Sequence, residues 1–155
     1  MAESGRPMKH VFDALGLEKD PRWFLETIWD LLQFFDDVYD NDTVTNFDSA
    51  LYGAFLALPT NNFYRQHQGV LAPSIHLAIE KWKLANNYEE NGKADAKSYM
   101  WRACFYDILA LVCILDGKAH LSQLALAMYG ETFDIYMKEM ELCQTQLPPP
   151  LLPSE

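Results

Sequence analysis

Little in this sequence points directly to chemistry. Cysteine occurs three times, at Cys104, Cys113 and Cys143, with no CxxC pair. That odd, unpaired set argues against a disulfide framework or a cysteine-ligated zinc, and predicts reduced thiols of a cytosolic protein. No P-loop, GxGxxG or nucleophile elbow is present, so the usual local signatures of phosphate cradling and acyl transfer are missing. No apolar run reaches the ~18 residues that a membrane helix needs. The longest candidate, 108–115, is bounded by Asp107 and Asp116, and the first residues (Met1-Ala-Glu-Ser-Gly-Arg) lack the apolar centre of a secretion signal. Bases are scarce, with 12 Lys+Arg against 22 Asp+Glu and a net charge of −10. A direct nucleic-acid binder would carry a basic face. These absences predict a cytoplasmic location, no direct nucleic-acid contact and no membrane association.

The chain is 155 residues long, half of them apolar and 14% aromatic. That is enough for one domain with a real core. The charge is uneven. Residues 18–48 hold nine acids and two bases, net −7; residues 60–120 are nearly neutral; residues 121–155 are net −4. Such asymmetry bears on cations and basic partners, not on fold.

Apolar residues recur at steps of three and four, which predicts an all-α fold: a compact bundle of about five helices with an extended Pro-rich C-terminal tail. Residues 1–17 read as a loosely docked N-terminal arm, 18–146 as the bundle domain and 147–155 as the tail, in which Leu147-Pro-Pro-Pro-Leu-Leu-Pro is suited to a polyproline conformation. The first helix is expected over 21–39, with Asp20 as N-cap, Pro21 opening it, and a stripe of Phe24, Ile28, Leu31, Leu32, Phe35, Val38 and Tyr39. The second starts near Asn46, keeps the same period through Phe47, Ala50, Leu51, Ala54, Phe55 and Leu58, and stops at Pro59. A short turn over 61–68, closed by Gly69, precedes a third helix from Pro73-Ser74 to Glu90, with Asn91-Gly92 as its stop. The fourth, 93–116, is apolar nearly all round from Ala103 to Leu115, as a central helix is. The fifth runs 119–144, weakened at Gly130.

Two constellations stand out. In Asp36-Asp37-Val38-Tyr39-Asp40, followed by Asn41-Asp42, three carboxylates crowd the negative end of a helix. A divalent cation would relieve that crowding, and hard oxygen ligands suit Mg²⁺. The string resembles the first DDxxD motif of class I isoprenoid diphosphate synthases, where the motif binds Mg²⁺–diphosphate. The likeness covers about ten residues, with no second DDxxD and no following arginine pair. It implies a metal role for Asp36, Asp37 and Asp40 and no particular activity.

The second constellation is Asn62-Phe63-Tyr64-Arg65-Gln66-His67, then Trp82, Asn86-Asn87, Glu89-Glu90 and Arg102. Over about residues 60–120 it is similar to small helical proteins encoded by tailed phages. That likeness implies a phage or prophage accessory protein, in the host cytoplasm or the virion. Read physically, Asn62, Tyr64, His67, Asn86, Glu90, Arg102 and Asp107 make a polar network that locks helices together. Arg102 needs a carboxylate from another helix, with Glu80, Glu89 and Glu90 as candidates, and Asp107 needs Tyr64, Tyr99 or a histidine. His76 and Glu80, four apart, suit a surface pair.

Two functions follow. The first is a non-enzymatic interaction protein whose acidic face (Asp30, Asp36, Asp37, Asp40, Asp42) meets a basic surface on a protein partner, with no cofactor. Self-association is the other route, signalled by an exposed aromatic patch around Trp23, Trp29 or Trp101. The alternative is a Mg²⁺-dependent hydrolase or binder of a diphosphate or nucleotide, with Asp36, Asp37 and Asp40 on the metal and His67 or Lys83 as base.

Overall fold

The computed structural model describes residues 7–145, which hold eight helices and no strand. They are α1 (Pro7–Leu15), α2 (Lys19–Asp40), α3 (47–60), α4 (Asn62–Glu90), α5 (Ala96–Arg102), α6 (Cys104–Leu115), α7 (Ser122–Ala127) and α8 (Phe133–Thr145). The all-helical class agrees with the periodicity. The Pro-rich tail at 147–155 and the first six residues of the arm lie outside the described residues.

The centre is α6, where Phe105, Ile108, Leu109, Val112 and Cys113 are buried. α2 supplies Phe24, Leu25 and Ile28 to the same core, and α4 supplies Phe63, Leu71 and Ala78. Phe24 stacks on Tyr64 at 5.6 Å and 9° between planes, fixing α2 against the start of α4.

The N-terminal arm corrects the sequence reading. Met8, Val11, Phe12 and Leu15 are at most 3% exposed, and Phe12 meets Phe105 edge-on at 6.5 Å. Their i, i+3, i+4, i+7 spacing is a buried helical stripe compressed into nine residues. Gly16, at φ +54°, then turns the chain into α2.

Three further departures raise the helix count above five. The expected fourth helix is two, α5 and α6, bent by 48° at Ala103 (φ −79°, ψ 12°). Asp95 and Ser98 form a reciprocal capping box that starts α5 only at Ala96. The expected fifth helix is also two. A tight turn at Ala119–Leu121 leads into α7, and residues 128–132, including Gly130, separate α7 from α8.

Conversely, the turn at 61–68 and the third helix are one element, α4. Pro73 lies inside it, and the distortion falls at His67 (φ −112°, ψ 15°). Proline removes one hydrogen bond and crowds the carbonyl four residues back, which a long helix absorbs as a local kink. α2 likewise starts two residues early. Glu18 occupies its N-cap position without a side-chain bond, and Asp20 lies in the first turn. No single helix among the described residues is long and apolar enough to cross a membrane.

Candidate functional site

The polar residues divide into two groups at opposite ends of α4. At its start, Asn61 rather than Asn62 does the work. Asn61 is 2% exposed, accepts from the Tyr64 N–H at 2.9 Å and donates to the Asp20 carbonyl at 3.0 Å. Asn62 is exposed, and His67 lies against the Phe63 ring at 4.7 Å. An asparagine three residues before Tyr64, where the chain turns helical, is the N-cap signal.

At the far end, Arg102 is the hub. Its Nε donates to Glu89 Oε1 at 2.8 Å, and Nη2 donates to Glu89 Oε2 and to Asn86 Oδ1. Nη1 reaches Asp36 Oδ1 at 3.4 Å. Burial alone would lower the guanidinium pKa, but the Glu89 hydrogen bonds, with the Glu89 and Asp36 charges, hold it above its ordinary value. Glu90 lies outside this hub and accepts from Tyr39 Oη at 2.5 Å, which pushes the phenol up to about 12. Asp107 is paired with Lys81 at 2.7 Å, not with a tyrosine or a histidine. His76 and Glu80 lie 3.9 Å apart on the surface.

The acids at the end of α2 have different surroundings. Asp36 accepts from Trp82 Nε1 at 3.1 Å as well as from Arg102, and so joins α2 to α4 and α5. Asp30 accepts from Asn46 Nδ2 at 2.8 Å and Ser49 Oγ at 2.7 Å, pinning α3 to α2. Asp37 and Asp48 make no ion pair with any described residue. Asp40 and Asp42 are exposed, and the Asp42 N–H caps the Asp37 carbonyl at 2.8 Å. Among the described residues no three His, Cys, Asp or Glu side chains converge as a metal site would require. His67 lies fifteen residues before Trp82 on α4, about 22 Å by helix rise, and Lys83 is paired with Glu80 at 3.0 Å. Burial pushes the Cys104 and Cys113 thiols up, as expected of inert core cysteines.

Asp40 is exposed as a residue, but partial desolvation of its carboxyl, then the Asp36 charge, raise its pKa. The proton is therefore held more tightly in the folded state, and the ionised form costs stability above the folded pKa. Asp40→Asn is expected to stabilise the fold by about 0.3–1 kcal/mol at neutral pH, the size of an exposed charge effect at a helix end. The gain disappears as pH falls through the folded pKa. Urea unfolding at neutral pH and at about pH 4 measures both.

An apolar surface lies next to these acids, on α3 and the end of α2. α3 presents its small residues inward. Ala50 and Gly53 are buried against α2, and a Cβ on Gly53 would sit 3.2 Å from Thr27 Cγ2. A π-turn at Gly53–Ala57 keeps this narrow side facing α2. The large residues of the period point outward: Phe47 is 57% exposed, Leu51 43% and Phe55 74%, with Tyr52 and Leu56 beside them. Alanine and glycine let the helices approach closely, so the bulky side chains are left on the opposite face. On α2 the stripe leaves the core as it runs toward the C-terminus, and Phe35, Val38 and Tyr39 are exposed. The tryptophans are not the exposed patch. Trp29 packs on Phe105 at 5.0 Å and Trp101 on Tyr88 at 5.1 Å, though Trp23 is 41% exposed.

Between α2, α3 and α4 runs an apolar groove of about 220 Å³, lined by Ile28, Leu31, Phe35, Leu58, Ile75 and Ile79 among others. It is continuous with the α3 face through Leu58 and through the Phe35–Phe34–Phe47 ring contacts at 5.2 and 6.0 Å. Asp37 lies one turn beyond Phe34, and Asp48 follows Phe47, so acids border the apolar surface. No family model, curated protein or solved structure matches the chain.

Proposed function

We propose that this chain is a non-enzymatic interaction protein that binds a basic surface of a protein partner through the acidic end of α2 and the start of α3. The observation that carries this reading is the local imbalance of charge. Residues 18–48 are net −7, and Asp37 and Asp48 stand at the surface without a described base opposite them. Like charges gathered this way raise the rate of encounter with a basic partner and orient it.

The test is titration with a lysine-rich peptide, followed by fluorescence anisotropy at low and physiological salt. Binding is expected to weaken several-fold with salt and several-fold again in Asp37→Asn/Asp48→Asn. Removing the same charge from α8, in Asp134→Asn/Glu141→Gln, is expected to matter much less. Equal losses in the two double variants would contradict the reading. So would a melting midpoint raised by Mg²⁺ with pyrophosphate and abolished in Asp37→Ala, which would favour the metal reading of Asp36, Asp37 and Asp40.

A further inference from the structure

We infer that the α2–α4 groove and the outer face of α3 together seat a basic amphipathic helix of a partner protein. The inference rests on the interaction reading above and goes further, naming the shape and chemistry of what binds.

The first argument is area. Seven large side chains on α2 and α3 (Phe35, Val38, Phe47, Leu51, Tyr52, Phe55 and Leu56) are each between 43% and 74% exposed. At about 100 Å² per half-exposed large side chain they present on the order of 700 Å² of apolar surface. A monomer's largest apolar patch is usually ~300–600 Å², and one side of a standard protein interface is ~800 Å². The second argument is shape. An apolar groove between α2 and α4, lined at Ile28, Leu31 and Phe35 on one side and Ile75 and Ile79 on the other, suits a helix with anchors at i, i+3, i+4 and i+7.

Charge decides among occupants. A second copy of this chain would bring Asp37 and Asp48 and a net charge of −10 against their own equivalents, a juxtaposition that costs binding energy. The chain's own C-terminal segment, Leu147-Pro-Pro-Pro-Leu-Leu-Pro-Ser-Glu, is apolar but offers no base to the rim. A partner helix with leucine-like anchors on one side and lysines or arginines flanking them satisfies both the groove and the acids.

The experiment uses three synthetic peptides of about five helical turns. One has leucines on a single helical face and lysines elsewhere. Its isomer has the same composition with the leucines scattered. The third carries glutamate in place of lysine. Titrated into the full chain, the first is expected to bind at least about tenfold more tightly than its isomer. Phe55→Glu, at a side chain 74% exposed, is expected to erase that difference and leave the circular-dichroism melt unchanged. Phe47→Glu provides a second, independent test on the same face.

Equal binding of the two lysine peptides would overturn the groove and leave the charge reading standing. Binding of the glutamate peptide as tightly as the lysine one would overturn both, and so would no binding by any peptide at low salt. A dimer of the unliganded chain that Phe55→Glu converts to monomer would give the face to a second copy and overturn this inference alone.

Discussion

Replacing Arg102 by leucine is expected to destabilise the fold by about 3 kcal/mol, the lower end of the cost of removing one member of a buried ion pair, since the hydrogen-bonded cluster is partly buried. At roughly 2–4 °C per kcal/mol for a chain of this size, the midpoint should fall by roughly 6–12 °C. The reason lies in what is left behind. The Glu89 side chain is only 9% exposed, and in the variant it keeps its charge without the guanidinium that neutralises it. Asn86 Oδ1 loses the Arg102 donor, and Asp36 keeps Trp82 Nε1. Glu89→Gln in the same chain should therefore recover part of the loss, since the charge is then gone. Thermal and urea unfolding of the single and double variants measure this. A loss below about 1 kcal/mol in Arg102→Leu, the range of an exposed pair, would mean that Arg102 is a surface residue and not the lock between α2, α4 and α5.

Phe12→Ala is the second large effect, about 3–5 kcal/mol for truncating a buried phenylalanine. Phe12 is 3% exposed between Phe105 and the Arg22 guanidinium, 6.0 Å from its ring centre. Lys9→Ala, on the exposed side of the same helix and paired with Asp13 across one turn, should stay within about 0.5 kcal/mol of the parent. Urea unfolding separates the two cases. Equal, small effects at Phe12 and Lys9 would restore the loosely docked arm.

The two variants touch the places where the sequence was read least and most successfully. Around Arg102, composition alone said that a charge beside an apolar helix needs a carboxylate from elsewhere, and Glu89 was among its candidates. What could not be read was that Asp36 turns to the same guanidinium, because a DDxxD string looks alike whether its first carboxylate faces a cation or an arginine. At α1 the four apolar residues were visible, but nine residues bounded by glycines resemble an arm until α6 is there to cover them. The break at Ala103 has no sequence signal beyond the capping box at Asp95 and Ser98. Chain reversals elsewhere were legible because they used special backbone: Gly92 at φ +65° and Gly117 at φ +74° end the helices where expected.

α3 bears most on function. Its helical period is present as expected, but a period alone does not say which of two apolar sides faces the core. Here the contact with α2 at Thr27 admits only Ala50 and Gly53, so Phe47, Leu51 and Phe55 face out next to Asp37 and Asp48. That places exposed apolar side chains beside the acids at the end of α2 and the start of α3. Function is accordingly expected at that face rather than in the Arg102 cluster, whose carboxylates are satisfied from within.

Amide hydrogen exchange with and without the leucine-faced lysine peptide tests this most directly, since it reports where the chain is covered. Added protection is expected in 28–39, 47–58 and 72–79, the segments that form the groove and the α3 face, and not in α8. Protection confined to other helices, or spread evenly along the chain, would contradict the account.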